Sequence, residues 1–247
     1  MGEVLQGSTV RLHAPWPPCD FNAIGTPKCG TKWLQKILYL LLNPPDGSLR
    51  AWAARLAPWA VKPLHVHHMH EGIIDDYSPR QKVVFIARDP RDAIVSGYFY
   101  IKNGLDEGDM NATRESLARL DPEAGLEQQL IKYMKYRMPV MAYWFHLQHP
   151  NVTRVRYEDL LGDLAGQVRR INRDAGIHAP ERHVERVIAQ VSFESMSGGR
   201  RPGAENRASH FRKGVSGDWK NHFTERHCRI FREMGGEDLL RDMGYDV

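Results

Sequence analysis

The chain has 247 residues, enough for one large domain with a substantial core or for two small ones. A net charge of +4, with basic residues dispersed among acidic ones, argues against nucleic-acid binding and is compatible with attraction of an anionic ligand. Three cysteines without a C-x-x-C pair favour a reducing, cytoplasmic location and offer no zinc-site spacing. We expect neither secretion nor a membrane span, because residues 1–19 lack a signal pattern and the apolar run at residues 33–42 is short.

Short apolar runs alternate with helical patterns along the chain. Strands are predicted at residues 21–24, 63–68, 82–87 and 151–157. Helices are predicted at residues 33–42, 49–62, 126–148, 160–175, 180–190 and 224–234, the third bent at Pro139. Another helix follows Asp89 and Pro90, because aspartate is a good N-cap and proline suits the first helical position. This order predicts an α/β fold with a central parallel sheet flanked by helices and a ligand site at the carboxyl ends of the strands.

The loop at residues 25–33 departs from the ATP-binding P-loop at an informative point. In G-x-x-x-x-G-K-[ST] a lysine follows the second glycine, whereas here Thr31 precedes Lys32 and a second lysine, Lys28, lies inside the loop. The loop joins a predicted strand to a predicted helix, so its backbone N–H groups and the helix dipole converge on an anion. The sequence therefore predicts a phosphate-bearing ligand other than ordinary ATP.

Three later segments add groups that suit an anion. Arg88 ends a predicted strand and Ser96 lies on the following helix, where they can offer a guanidinium and a hydroxyl to one phosphate. Residues 156–160 lie at another strand end. Residues 211–221 form a basic, glycine-containing loop. They overlap with residues 198–216, whose richness in Gly, Arg and Ser predicts a mobile loop.

Taken in order, these segments resemble the cytosolic-type sulfotransferases, which use 3′-phosphoadenosine-5′-phosphosulfate (PAPS). The family's P-K-S-G-T-T-W loop corresponds to residues 27–33, its R-N-P-x-D-x-x-V-S motif to residues 88–96, and its R-K-G-x-x-G-D-W-K-N-x-F-T motif to residues 212–224. The resemblance covers about residues 20–234 and implies the P-loop nucleoside-triphosphate-hydrolase-like sulfotransferase fold, in a single domain of residues 1–247. It also implies transfer of a sulfuryl group from PAPS to a hydroxyl or amine of a small-molecule or natural-product acceptor, leaving PAP, without a metal ion.

The resemblance implies a role for each matching residue. The residues that would hold PAPS are Lys28, Cys29, Gly30, Thr31, Lys32, Trp33, Arg88, Ser96, Tyr157, Phe193, Arg212, Lys213 and Gly214. Lys28 would also be catalytic, by neutralising charge on the bridging oxygen of the leaving group. Thr31 and the amides of residues 29–33 would hold the 5′-phosphate, and Trp33 and Phe193 would stack on adenine. Arg88, Ser96 and residues 212–214 would clamp the 3′-phosphate, and Tyr157 would hydrogen-bond near the adenine.

The catalytic base implied by the family is a histidine in a K-T-H-L-P-like context. Aligning that motif with residues 66–70 favours His68, although the spacing to Arg88 also leaves His67 or His70 open. A neutral imidazole suits proton abstraction, since its pKa lies near working pH. The alternative for this histidine cluster is a metal site.

Some residues depart from the family pattern. Cys29 replaces the usual serine. It is either a small residue that merely fits or a reactive thiol, since a thiol at a helix N-terminus can have a lowered pKa. Lys32 replaces threonine and adds charge near the phosphates, and Val191 replaces a threonine near the purine. Glu225 and Arg229 interrupt the family's dimer motif, so we expect a monomer or a dimer of another type.

Two other functions remain open from the sequence. A P-loop kinase or NTPase would share the strand, loop and helix, but would need Lys-Ser or Lys-Thr after Gly30 and an acidic residue for Mg²⁺. A catalytically silent nucleotide-binding module would keep the fold without turnover. Neither nucleic acid nor a membrane is expected as a partner.

Overall fold

The computed structural model describes residues 21–43, 66–69, 82–105 and 111–247. Their sheet has four parallel strands, β1 Phe21–Ile24, β2 Val66–Met69, β3 Lys82–Ala87 and β4 Val152–Arg156, in the order β2-β1-β3-β4. All four lie where strands were predicted, although residues 63–65 are outside the described residues. The predicted α/β class is confirmed.

The strand order reverses between β1 and β3, and this reversal locates the ligand crevice. From β1 the chain leads to β2 on one side, and it then returns to place β3 on the other side. In open parallel sheets, a crevice forms outside the carboxyl ends of the strands at such a point. The loop after β1 and Arg88 after β3 both lie at this edge.

Helices cover the sheet, and the described residues form the following ones in chain order. They are α1 Thr31–Leu42, α2 Pro90–Lys102, α3 Asn111–Ala118, α4 Pro122–Tyr136, α5 Met138–His146, α6 Tyr157–Gly162, α7 Leu164–Asp174, α8 Glu181–Val191, α9 Phe193–Ser197, α10 Glu225–Glu233 and α11 Gly236–Asp242. A 3₁₀ turn spans Asp218–Asn221. In these segments we find no helix with the length and hydropathy that crossing a bilayer requires.

The start of α2 confirms its predicted cap, whereas the long helix predicted at residues 126–148 is wrong. Asp89 Oδ1 accepts a hydrogen bond of 2.9 Å from the Arg91 N–H, and Pro90 is the first helical residue. In place of one bent helix, α4 ends at Tyr136 and α5 begins at Met138. Because proline has no N–H to donate within a helix, Pro139 is accommodated in the first turn of a new helix.

Other helix boundaries also differ from the predictions. The segment predicted as one helix at residues 160–175 is two helices, α6 and α7, and helices α3, α9 and α11 were not predicted. These elements are short, so their hydrophobic periodicity covers too few turns to be recognised. The helix predicted at residues 49–62 lies outside the described residues.

Alternate residues of β3 pack against different sets of helices. Val83 and Phe85 are buried with side chains of α2, α4 and α5, on what we call the α4 face. Val84 and Ile86 are buried with side chains of α1, α7 and α8, on what we call the α1 face. Both faces are covered, as expected for a parallel sheet, so the strand ends are the accessible edge.

We expect Gly30→Ala to destabilise the fold more than Gly199→Ala. Both glycines have positive φ, +95° and +88°, but a Cβ at Gly30 would lie 2.8 Å from Tyr157 Cδ2, whereas one at Gly199 meets nothing within 4 Å. The left-handed conformation costs each alanine about 1–2 kcal/mol, and the clash adds about 1–3 kcal/mol at Gly30. Urea unfolding measures both; equal losses would show that Tyr157 does not constrain the loop.

Candidate active site

A cavity of about 500 Å³ lies at the carboxyl edge of the sheet. Twelve of the thirteen residues predicted to hold the nucleotide line it: Lys28, Gly30, Thr31, Lys32, Trp33, Arg88, Ser96, Tyr157, Phe193, Arg212, Lys213 and Gly214. They come from five separated parts of the chain. The fold therefore brings the predicted residues together around one space.

Lys28 occupies an unusual position in the loop after β1. Its φ of 71° is in the left-handed region, which is costly for a residue with a Cβ and is found mainly at functional sites. Its Nζ lies 3.8 Å from the centroid of the Tyr100 ring. Burial, followed by the positive charges of Arg88, Lys32 and Arg212, lowers the pKa of Lys28 from 10.5 to about 7.

Arg88 is the buried residue that links the loops around the cavity. Its guanidinium donates hydrogen bonds to the carbonyl oxygens of Lys28 at 3.0 Å and Val215 at 3.3 Å. It lies 4.3 Å from the Tyr157 ring centroid and 4.0 Å from the Asp92 carboxylate. Burial alone would lower the pKa of Arg88, but Tyr157, Asp92 and Glu158 raise it, so the side chain remains charged.

Asp92 anchors residues 198–221, which we call the late loop, to α2, a role that sequence reasoning missed. Its buried carboxylate accepts hydrogen bonds from the N–H groups of Gly217 at 2.7 Å and Trp219 at 2.9 Å. Burial raises the pKa of Asp92, while Arg88 and these two backbone donors oppose that rise. The sequence offered one signal for this role, an acidic residue in the first turn of a helix that follows a strand. It did not indicate the partners of that residue, because they lie more than a hundred residues further along the chain.

Acidic partners hold Arg212 and Lys213, two of the three basic residues of the predicted 3′-phosphate clamp. Asp218 accepts hydrogen bonds from Arg212 and Lys213, and Arg212 also donates to Glu205. Burial by itself raises the pKa of Asp218, but these two donors hold it well below its usual range. The Arg212 Nε is buried and has no hydrogen-bond partner among the described residues.

Residues 198–216 form an irregular loop, and Arg200 organises it. The Arg200 guanidinium donates to the carbonyl oxygens of Ala204 at 2.9 Å and Arg212 at 3.1 Å, and also to that of Phe211. The loop approaches Phe193 closely at Gly214, where an added Cβ would lie 2.2 Å from Phe193 Cε2. Only a glycine permits this approach, which brings the clamp residues next to the Phe193 ring.

Trp33 forms part of the wall at the α1 face. Its ring is buried, and its Nε1 donates a 2.7 Å hydrogen bond to the carbonyl oxygen of Val191. The Tyr157 ring packs edge-to-face at 5.7 Å between centroids. The valine at position 191 therefore orients the indole through its backbone, and Tyr157 packs beneath Arg88 and against Gly30.

Cys29 does not have the environment that was expected for a reactive thiol. It is fully buried and is not among the residues that line the cavity. Its Sγ lies 3.0 Å from Thr26 Oγ1, and its N–H is bonded to the Thr26 carbonyl. Burial raises the pKa of the thiol to about 11. Of the two possibilities that the sequence left open, a reactive thiol is therefore not favoured, because exclusion from water outweighs the helix N-terminus, and Cys29 is the small residue that fits this position.

The predicted histidines are placed by the backbone alone. His67 and His68 belong to β2, paired in register with Asn22 and Ala23 of β1. Their side chains, and the whole of His70, lie outside the described residues. Among the residues that are described, no three His, Cys, Asp or Glu side chains form a potential metal site.

The cavity has a strongly positive lining. Its basic residues are Lys28, Lys32, Arg88, Lys132, Arg137, Arg212 and Lys213, and no Asp or Glu is among the described residues that line it. The buried Arg88 Nε and Arg212 Nε atoms lack hydrogen-bond partners within the described ranges. Unpaired guanidinium donors and clustered cations suit a ligand with several phosphate or sulfate oxygens.

We expect Lys28→Met to stabilise the ligand-free protein at low pH and to have a smaller effect at high pH. Because the folded protein binds this lysine's proton less tightly than the unfolded chain, its unfavourable contribution is full below a pH of about 7 and fades as pH rises towards 10.5. Urea unfolding at about pH 6 and about pH 9 measures this change. Lys36→Met, at an exposed position on α1, is the control. The same effect at both pH values would contradict the interpretation.

Comparisons with known proteins agree with this geometry. The model of the sulfotransferase domain family, Sulfotransfer_1, matches residues 18–243. Sulfotransferase 2B1 of Mus musculus is 27% identical over 256 residues, covering 89% of this chain and 71% of the relative. The 3-alpha-hydroxysteroid sulfotransferase of Cavia porcellus is 28% identical over 262 residues, covering 89% and 83%.

Solved structures show the same fold. The mouse sulfotransferase SULT7A1 complexed with PAP has a TM-score of 0.60 and 20% identity, with 90% of this chain and 85% of that chain covered. Retinol dehydratase in complex with androsterone and the inactive cofactor PAP has a TM-score of 0.55 and 19% identity, with 94% and 83% covered. Since the family model spans nearly the whole chain, the protein belongs to the sulfotransferase domain family.

Proposed function

We propose that the protein is a PAPS-dependent sulfotransferase, acting as a single cytoplasmic domain on a hydroxyl or amine of a small-molecule acceptor. The observation that carries this proposal is the cavity at the sheet edge, where Lys28 lies among cationic side chains without a carboxylate in the described lining. Family membership supports it, and so does the PAP bound in two of the structural neighbours.

The nucleotide would lie with its base at the α1 face. Trp33, whose ring is fixed by the Val191 carbonyl, and Phe193 would flank the adenine. Arg212 and Lys213 would bind the 3′-phosphate together with Arg88 and Ser96, which also line the cavity. Thr31, in the first turn of α1, and the positive end of that helix would bind the 5′-phosphate.

Lys28 would provide the charge that the reaction requires. When bound, PAPS supplies the activated sulfuryl group. Negative charge then develops on the phosphate oxygen that leaves sulfur, and an ammonium at Lys28 would neutralise it. A neighbouring anion favours the charged form of a lysine, so a bound nucleotide would raise the pKa of Lys28 above its ligand-free value of about 7.

A histidine at the end of β2 would take the acceptor's proton. β2 lies next to β1, whose carboxyl end leads directly into the loop that contains Lys28. Residues at the end of β2 therefore reach the same edge of the sheet. Within this proposal His68 is the base, with His67 and His70 as alternatives, and a neutral imidazole accepts the proton as the acceptor oxygen bonds to sulfur.

The kinase alternative has less support. A kinase requires an acidic residue for Mg²⁺ near the phosphates, and no acidic residue is among the described residues of the cavity lining. Arg212 and Lys213 also line the cavity, and in the proposed arrangement they would bind a 3′-phosphate, which ATP lacks.

Thermal denaturation with different nucleotides tests the proposed function. We expect PAP to raise the melting temperature more than AMP or ATP with Mg²⁺ at equal concentration, because a ligand that binds only the folded state stabilises it in proportion to its affinity. Transfer of labelled sulfate from PAPS to a panel of phenols, alcohols and amines then tests turnover. Equal protection by AMP and PAP would contradict the 3′-phosphate clamp, and PAP binding without any transfer would favour a silent nucleotide-binding module.

Substitution of each histidine tests the base. We expect His68→Asn to lower kcat by about 10²–10⁴-fold, the usual contribution of general base catalysis, while PAP affinity stays near that of the unmodified protein. His67→Asn and His70→Asn are matched variants for which kcat should change little. If one of those two lost activity while His68→Asn kept it, the proton acceptor would be reassigned to that residue.

A further inference from the structure

The loop after β1 contains a tight turn, residues 26–29, and Lys28 is its third residue. The Cys29 N–H donates a 3.2 Å hydrogen bond to the Thr26 carbonyl oxygen, which closes the turn. Pro27 is the second residue, and the φ of Lys28 is 71°. These are the features of a type II turn, which requires a positive φ at its third residue and usually has glycine there. A lysine at this position is strained, so the surrounding structure must hold the turn.

Tyr133 of α4 contacts both ends of this turn. Its hydroxyl oxygen lies 2.7 Å from Thr26 Oγ1 and 3.8 Å from Cys29 Sγ, and these two turn atoms are 3.0 Å apart. The three groups carry three protons, and each can donate to the next, so together they form a closed ring of hydrogen bonds. Burial raises the pKa of the Tyr133 hydroxyl and of the Cys29 thiol, so both keep their protons at neutral pH.

The ring connects two parts of the cavity wall that are far apart in sequence. Lys28 lines the cavity from the loop after β1, and Tyr133 lines it from α4. Thr26 and Cys29 are buried behind the turn and are not among the described residues that line the cavity. On the other side of the turn, Arg88 donates to the Lys28 carbonyl oxygen at 3.0 Å. The turn is therefore held from β3 at Lys28 and from α4 at its two ends.

The direction of the turn determines where the Lys28 ammonium lies. The side chain extends from the turn along α2, where a Cβ added at Gly97 would lie 3.9 Å from Lys28 Cγ. Its Nζ ends 3.8 Å from the centroid of the Tyr100 ring. In the proposed reaction, negative charge develops on a single leaving oxygen, and a displacement of about 1 Å in a catalytic site can lower a rate about 10²-fold. A looser turn would therefore lower the rate without removing the charge.

We infer that Tyr133 is a positioning residue, whose hydroxyl fixes the turn at residues 26–29 through Thr26 and so places the Lys28 ammonium at the leaving oxygen. This inference rests on the proposed function. Tyr133 acts through Lys28, and its hydroxyl contacts neither the nucleotide nor the acceptor. The aromatic ring of Tyr133 forms part of the cavity wall, and a phenylalanine would preserve that part.

Removal of the two hydroxyl groups tests this role. Tyr133→Phe and Thr26→Val each open the ring of hydrogen bonds while nearly preserving shape, and we expect each to lower kcat for sulfate transfer by about 10- to 100-fold. The affinity for PAP, measured by calorimetry, should change much less than kcat. Thr26→Ser retains a hydroxyl and should recover most of the activity that Thr26→Val loses. Tyr136→Phe, at the exposed last residue of α4 and outside the cavity lining, is the matched control.

A double-mutant cycle distinguishes action through Lys28 from a direct contact with a ligand. In the Lys28→Ala background, Tyr133→Phe should have almost no further effect on kcat, because the group that Tyr133 positions is gone. An equal loss in both backgrounds would show that the hydroxyl does not act through Lys28, and would overturn the inference.

Chemical labelling tests the same link without nucleotide or turnover. Competitive acetylation with acetic anhydride over a range of pH, followed by mass spectrometry, measures the pKa of the Lys28 amine in the ligand-free protein. A looser turn should let the ammonium reach water, so its pKa in Tyr133→Phe should rise from about 7 towards 10.5. Lys36, at an exposed position on α1, is labelled in the same sample as the reference. An unchanged pKa of Lys28 in Tyr133→Phe and in Thr26→Val would contradict the role of Tyr133.

The outcomes separate this inference from the proposed function. If the unmodified protein binds PAP and transfers sulfate, but Tyr133→Phe and Thr26→Val both keep its kcat, the positioning role is overturned and the sulfotransferase assignment stands. If Tyr133→Phe does not fold, the comparison of Thr26→Val with Thr26→Ser decides between the two results. If the unmodified protein neither binds PAP nor transfers sulfate, the proposed function is overturned, and this inference with it.

Discussion

Arg88 connects the chain segments on which the cavity depends. Its guanidinium donates hydrogen bonds to the backbone of the loop after β1 and to that of the late loop, and it lies 4.3 Å from the centroid of the Tyr157 ring, just after β4. A buried guanidinium requires a counter-charge, which Asp92 provides at 4.0 Å. Asp92 in turn accepts hydrogen bonds from the N–H groups of Gly217 and Trp219, so the ion pair of Arg88 and Asp92 also fixes the late loop. One ion pair therefore sets the relative positions of the loops that carry the candidate site residues.

The site concentrates positive charge at a cost to the ligand-free fold. Burial, followed by repulsion from Arg88, Lys32 and Arg212, lowers the pKa of Lys28 to about 7. The acidic partners of Arg212 and Lys213 belong to the late loop and relieve part of this repulsion there. At Lys28 no such partner is among the described residues, so a bound anion is the natural counter-charge. The unfavourable electrostatics of the empty site become favourable when a phosphate-bearing ligand is present.

Hydrophobic and turn patterns allowed much of this arrangement to be predicted. The continuous apolar run of β3 and the aspartate and proline before α2 are local signals, and the structure confirms both. The break between α4 and α5 was not predicted, because a proline can bend a helix or begin a new one and its sequence does not distinguish these outcomes. The sequence left the environment of Cys29 open for a related reason. Position at a helix N-terminus is local, whereas its burial with Thr26 and Tyr133 results from packing of α4.

The sequence by itself determined the α/β class, the strand order along the chain and the three motifs that identify the family, because each of these depends on residues that are neighbours in the chain. Only the tertiary structure decided that Asp92 holds the late loop, that Val191 orients Trp33 through its carbonyl, and that Tyr133 contacts both ends of the turn that contains Lys28. These contacts join residues far apart in the chain. Their formation depends on how helices pack across the sheet, and no local pattern of residues encodes that packing.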